Sequence, residues 1–438
     1  MGDPPPIMVT TGQRGMAAMG GGPVTTRITD QIAAVTLDLP PGNALGADTL
    51  RGLAAALDGI EASLDTAEAP RGMVLGSANE VFSVGLDLRE IDAEAASGTP
   101  ALHEICARIE RLPIPVVAAL PGSAIGGGAE LALAAHYRLA VPSARIGLPD
   151  IVLGLPPGAG GGQRLAALCG AETALDMLLR GRPITAQMAR QAGLIDGVVE
   201  EDIDASARAL AAQLAAAGIR PRPVAGRREL MVDGMAWLDA VQRRRRATDG
   251  APLRSASRVV DCIEAALLLP AASALRFERT AHLDALADPQ FAALRHVYFA
   301  ERRISPSLLE RDGGTPAPTA QGRSLLAALG RGGEGLEGEM RLAAAVAQGA
   351  RLLAAGRVAR SADLDALAVH GLGWSRLSGG PFHAARSFGM AELVAMMEDW
   401  AGANPVFEVP PLLRASVDTD GDLDAALRRG RVAEIKTG

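Results

Sequence analysis

Lysine is all but missing from this 438-residue chain: of its 43 basic residues only Lys436 is not arginine. Any contact to a phosphate therefore falls to arginine or to backbone N–H groups. Aromatic residues are scarce as well, at 3%, while 48% of the chain is hydrophobic, so the core has to be built of Ala, Leu and Val. The three cysteines, Cys106, Cys169 and Cys262, are scattered and odd in number, which argues against a disulfide framework or a zinc site. The six histidines, His136 and His296 among them, are isolated, with none at metal-ligand spacing. Neither a metal nor a redox cofactor is expected. No apolar run reaches the length needed to span a bilayer. Residues 1–25 are rich in Gly, Pro and Met without a basic start followed by an apolar stretch, and read as a disordered tail and not as a signal peptide. A net charge of −7 gives no reason to expect nucleic acid or an anionic membrane as partner. Together these absences point to a soluble cytoplasmic protein.

What is present is concentrated in one stretch. Gly126, Gly127, Gly128 and Ala129 precede Glu130, which opens the apolar run LALAA; Asp150 follows Pro149 and precedes a Gly/Pro loop from Gly154 to Gly162. Glycines at a helix start let a ligand approach the backbone, and the unpaired N–H groups there stabilise developing negative charge. Two acids beside such a site are what adding or moving a proton next to a carbonyl requires. A carboxylate in surroundings as apolar as those of Glu130 is costly unless used. The plainer alternatives are a solvated helix-terminal residue for Glu130 and a helix cap, serving the segment after Ile151, for Asp150.

Around this stretch, strand patterns at Ile32–Leu37, Gly72–Gly76, Val116–Leu120 and Tyr137–Ala140 alternate with helical patterns at Ala47–Ser63, Ala101–Arg111 and Glu130–Ala135. Strand and helix in repetition imply crossovers and a buried sheet. After Asp202 the chain reads as helices, including Pro252–Leu268 and Ser273–Leu286, then a Pro/Gly-rich stretch, a long amphipathic helix over Leu336–Arg360, and a next helix with Ser361 as cap and Asp363 and Asp365 at its positive end. The expected organisation is a tail (1–25), an α/β core (26–205), a helical connector (206–311), a flexible linker (312–335) and a small all-α domain (336–438).

The run GGGAEL, then GLPD, then LGLPPGAGGGQRL resembles the signature of the enoyl-CoA hydratase/isomerase (crotonase) superfamily. Two departures stand out: Asp150 where Glu is expected and Gly162 where Thr is expected. VFSVGLDLREI (Val81 to Ile91), PPGNALGADTL (Pro40 to Leu50) and GRPITAQMARQAGLIDGVVEED (Gly181 to Asp202) resemble other family segments in the right order, over about residues 25 to 205. Later segments (Ala251 to Pro270, Phe291 to Arg303, Glu339 to Phe382) resemble the connector and final helical domain of bacterial multifunctional fatty-acid oxidation proteins, the last being like the C-terminal part of 3-hydroxyacyl-CoA dehydrogenases. The nucleotide-binding domain that would separate them is missing. The one GxGxxG, at Gly330, Gly332 and Gly335, has no strand before it, so no NAD site is expected.

The resemblance implies a crotonase-type spiral of ββα units and hydration of a trans-2-enoyl-CoA, or isomerisation of its double bond, with coenzyme A thioester as substrate and no cofactor. It implies Glu130 as principal acid/base, Asp150 as second acid, and the N–H groups of Leu86 and Gly127 as the oxyanion hole. Val84, Gly85, Asp87, Arg89, Gly126, Gly128, Pro149 and Gly158 would line the substrate, with Arg89 near the nucleotide phosphates. The run Arg243 to Arg246 reads more plainly as a solvated helix face than as a phosphate site. Alternatives are another crotonase-type acyl-CoA reaction, such as thioester hydrolysis or decarboxylation, or a non-catalytic acyl-CoA-binding scaffold. As partners the resemblance implies the acyl-CoA itself, a monomer or small homo-oligomer, and association with other fatty-acid oxidation subunits.

Overall fold

The computed structural model describes residues 22–91, 98–310 and 315–437, in two compact units, Met1–Ala285 and Leu286–Gly438. In the first unit, β1 (Val24–Thr29) and β2 (Ile32–Leu37) form an antiparallel hairpin whose two turn residues, Asp30 and Gln31, both have positive φ, the backbone that matches strand twist in a two-residue turn. The chain then runs through α1 (Ala47–Ser63), β3 (Gly72–Ser77), α2 (Leu102–Arg111), β4 (Val116–Leu120), β5 (Ala124–Ile125), α3 (Gly127–Ala134), β6 (Tyr137–Ala140), β7 (Arg145–Gly147), α4 (Gly161–Arg180), β8 (Ile184–Thr185), α5 (Ala186–Gln191) and β9 (Gly197–Val198). One sheet has the order β1-β2-β3-β4-β6-β9, parallel from β2 onward, and a smaller one the order β5-β7-β8. β3 and β4 are buried at every residue, because helices cover both faces of a parallel sheet. On one face α6 (Ile203–Ala216) lays Ile203, Ala207, Ala211 and Leu214 against Val74, Val117 and Ala119; the main core lies on the other. Helices α7 (Gly234–Thr248), α8 (Ser255–Leu268) and α9 (Ala271–Leu286) complete the unit.

Three expected strands and α1 have the bounds read from the sequence. The two- and three-residue strands β5, β7, β8 and β9 were not expected, since so short a segment leaves no period-two signal. The arginine run belongs to the fold: Arg243 and Arg244 pair with Glu172, and Arg245 with Asp261 and Glu264.

The second unit holds α10 (Pro289–Arg303), the short pair β10 (Leu309–Glu310) and β11 (Ala317–Pro318), then α11 (Ala320–Leu329), α12 (Gly338–Ala354), α13 (Ser361–Gly371), α14 (Pro381–Phe388), α15 (Met390–Ala401), α16 (Pro411–Ser416) and α17 (Leu423–Thr437). The division between units falls inside the expected connector. The expected flexible linker contains α11, which buries Leu325, Leu326, Ala328 and Leu329; its apolar pairs outweigh its glycine content. The long helix expected to reach Arg360 ends at Ala354, before Gly356 at φ 67. Ser361 is the first helical residue and not the cap: its N–H and hydroxyl both donate to Asp424. Gly330, Gly332 and Gly335 lie in the turn between α11 and α12.

Candidate active site

The first element is a turn that presents N–H groups. Asn43, fully buried at φ 52, donates from Nδ2 to Ser77 Oγ and to the carbonyls of Val81 and Phe82, while its Oδ1 accepts from Leu39 N and Asn79 Nδ2. Ser83 Oγ donates to Asn43 O and accepts from Gly85 N, and Leu45 N donates to Gly85 O. This knot fixes Gly85 at φ 94, a backbone that favours glycine, and packs it against the start of α3: a Cβ there would lie 2.7 Å from Ile125 O and 3.1 Å from Gly127 N. The N–H groups of Leu86 and Gly127 are thereby brought beside each other, and among the described residues neither donates a hydrogen bond. Gly127 is the first residue of α3, where an N–H has no intrahelical acceptor.

One turn along α3, Glu130 is 1% exposed. Its Oε1 accepts from Ala159 N at 2.7 Å and Gly161 N at 2.9 Å; no cation pairs with it among the described residues. Burial first, then the charges of Asp150 and Glu278, push its carboxyl up to about 8. Asp150 sits in a 3-10 turn, Pro149–Leu153, whose cap position is Leu148 and has no side-chain cap bond. The capping alternative for Asp150 therefore fails. Its Oδ2 is buried with no hydrogen-bond partner among the described residues, and burial pushes its carboxyl up to about 6. Two carboxyls both raised by burial, one of them further raised by the other's charge, hold a proton near neutral pH.

The other expected residues are distributed around this pair. Gly126, at φ 54, caps α3, and Gly128 packs on Ser83, where a Cβ would lie 2.6 Å from the carbonyl oxygen. Val84 is 51% exposed on the turn's outer side. Arg89 is exposed and forks over Asp87 through Nε and Nη2, which holds the Asp87 carboxyl below its ordinary value. Gly158 differs from its expected role: the ring of His282 takes the space beside it, 2.7 Å from where a Cβ would be. His136 and His296 are structural, the first bonded to Val116 N and Glu110 O, the second to Asp365. A cleft of about 520 Å³ lies between α1 and α2 and contains neither carboxylate of the pair.

Sequence reasoning missed four contributing residues. Asn43 was noticed only as part of a family-like turn. Glu110 and Arg164 form a buried pair at 2.8 Å that ties α2 to α4, with Arg164 also donating to Ala159 O in the loop that holds Glu130. Glu278, fully buried on α9, accepts from Gly162 N, Gln163 N and Gln163 Nε2. The available signal for Glu278 was a Glu and a His, residues 278 and 282, on the same helical stripe as Ala274 and Ala285.

Residues 27–224 match the family model for enoyl-CoA hydratase/isomerase. Over 281 residues the chain is 33% identical to the peroxisomal bifunctional enzyme of Cavia porcellus, a match covering 63% of this chain and 38% of that protein's length. Among solved structures, it is similar to an enoyl-CoA hydratase/isomerase from Pseudoalteromonas atlantica T6c (24% identity, 64% of this chain and 97% of that one, TM-score 0.47). It is also similar to an enoyl-CoA hydratase from Mycobacterium avium subsp. paratuberculosis K-10 (22% identity, 63% and 99%, TM-score 0.43). The family match takes in both the turn of Leu86 and the glycine-opened α3 with the N–H of Gly127, and makes residues 27–224 a crotonase-family domain.

Proposed function

We propose that the chain hydrates the double bond of a trans-2-enoyl-CoA. The observation that carries this reading is a buried carboxylate pair, Glu130 and Asp150, without a cation, next to the unpaired N–H groups of Leu86 and Gly127. The thioester carbonyl accepts from both N–H groups. Water then adds at the β-carbon, its proton passing to the ionised carboxyl, as the double-bond electrons move toward the carbonyl oxygen and form an enolate. The protonated carboxyl gives its proton to the α-carbon, and the pair again holds one proton. Each N–H donor contributes on the order of 3 kcal/mol to the transition state. The same pair, moving a proton between the α- and γ-carbons, would isomerise a 3-enoyl thioester; the exposed fork of Arg89 on Asp87 offers a cation for the coenzyme A phosphates.

Addition of crotonyl-CoA tests this directly: the ultraviolet absorbance of the enoyl thioester is lost on hydration, and 3-hydroxybutyryl-CoA forms. Thioester hydrolysis would instead release free thiol, detectable with a thiol reagent. A binding-only protein would protect against melting with neither product.

A further inference from the structure

The loop between Asp150 and α4, together with the first turn of α4, carries the glycines 158, 160, 161 and 162, and each has a neighbour where a side chain would be. At Gly161 that neighbour is Glu130 itself, 2.7 Å from Cγ. At the other three it comes from one face of α9: Leu275 Cδ2 lies 2.5 Å from the Cβ position of Gly160, Glu278 Oε2 2.5 Å from that of Gly162, and the His282 ring 2.7 Å from that of Gly158. Residues 275, 278 and 282 recur at helical spacing, so one helix face is laid on the loop with a glycine under each contact. His282 holds the entry of the loop: burial lowers its pKa to about 4 and keeps it neutral, so Nδ1 is the donor to Pro156 O at 2.8 Å. Glu278 holds the exit through three donors at the first turn of α4, where N–H groups and the helix dipole favour an anion. Between these two anchors lie Ala159 N and Gly161 N, the donors to Glu130.

We propose that Glu278 is a positioning residue for Glu130: it replaces the side chain absent at residue 162, locks the loop whose N–H groups orient Glu130, and places a further carboxyl behind it. The proposal rests on reading Glu130 as the acid of the site. The groups facing Glu130 are Asp150 from the 3-10 turn, Glu278 from α9, Cys106 from α2 and Arg164 from α4, the last already bonded to Glu110. Those facing Glu278 are Arg164 and, from α8, Cys262. Glu278 thus adds a like charge to a site whose nearest cation is committed elsewhere, and so raises the proton affinity of Glu130. It also accounts for the departure at Gly162, because a threonine there would displace the Glu278 carboxylate from its donors at Gly162 and Gln163.

The test is an infrared titration of the Glu130 carboxyl band, identified by its loss in Glu130→Gln, in the whole chain and in Glu278→Gln. The midpoint is expected to fall by about 0.5–1 pH unit, and the alkaline limb of the pH–rate profile with it. An unmoved midpoint overturns the proposal while leaving hydration standing, whereas absence of hydration with a shifted midpoint would fault the proposed reaction and leave the positioning role intact. If Glu278→Gln does not fold, Gly162→Thr combined with Glu278→Ala refills the space without the charge. That double variant should fold, be more stable than Gly162→Thr alone, and show the lowered midpoint. Equal stability of Gly162→Thr alone would contradict the steric argument.

Discussion

Glu130 in the first unit is a buried glutamate and Glu301 in the second a partly buried one, and they behave in opposite ways. Burial raises both. At Glu301, hydrogen bonds from His370 Nε2 and Arg376 overcome it and hold the carboxyl at about 2, so the group is an anion that ties helices together. At Glu130, the available donors are neutral backbone N–H groups and the near charges are carboxylates, so burial wins and the carboxyl rises. Within the first unit Glu110, paired with Arg164, likewise ties two helices together. The difference teaches that a buried acid with a cation serves architecture, while one surrounded by dipoles and other acids keeps a proton to exchange.

The largest expected effect breaks the comparison at its reactive side. Glu130→Gln should lower kcat/KM for crotonyl-CoA by about 10³-fold while the far-ultraviolet spectrum stays unchanged. Glu301→Gln should do the reverse, destabilising the chain by about 2 kcal/mol in urea unfolding with hydration retained. Next comes Asp150, one methylene shorter than the family residue. Extension by Asp150→Glu should change turnover by roughly tenfold, upward if the shorter acid is under-reaching and downward if the pocket has closed around it. Equal turnover in Asp150→Glu and Asp150→Ala would remove Asp150 from the chemistry.

A smaller effect sharpens the comparison through pH. kcat/KM should be bell-shaped, rising as the Asp150 carboxyl ionises near 6 and falling as Glu130 loses its proton near 8. The smallest effect is on stability. Folded Glu130 binds its proton more tightly than the unfolded chain does, so its contribution is whole below pH 4.5 and is lost as pH rises toward 8. Glu301, with its lowered pKa, contributes above the same 4.5 and loses that contribution as pH falls toward 2. Melting curves of Glu130→Gln should therefore gain on the native chain, by a few °C on the usual scale, between pH 5 and pH 8, those of Glu301→Gln should not.

How much of this was legible depended on sequence distance. Glu130 could be read from GGGAE, because three glycines, the helix start and the acid are contiguous and the chemistry of a helix N-terminus is local. The buried strands showed as plain apolar runs. The N–H of Leu86 leaves no side-chain signature, and only the family resemblance pointed to it. Asn43 carries the turn through five hydrogen bonds to residues 4 to 39 positions away, which no local pattern encodes. Glu278 meets Gly162 across 116 residues, so its role emerges only when α9 lies on the loop. Gly158 was expected to line the substrate, whereas the glycines at 158, 160 and 162 make room for a helix.

The central claim, that the buried acids without a cation hold a proton at neutral pH, is tested most directly by infrared spectroscopy of the ligand-free chain at pH 7. A protonated-carboxyl band should be present and should lose its Glu130 component in Glu130→Gln, leaving the smaller contribution of Glu278, whose carboxyl burial pushes up to about 7. A spectrum showing only ionised carboxylates, unchanged by that substitution, would contradict it.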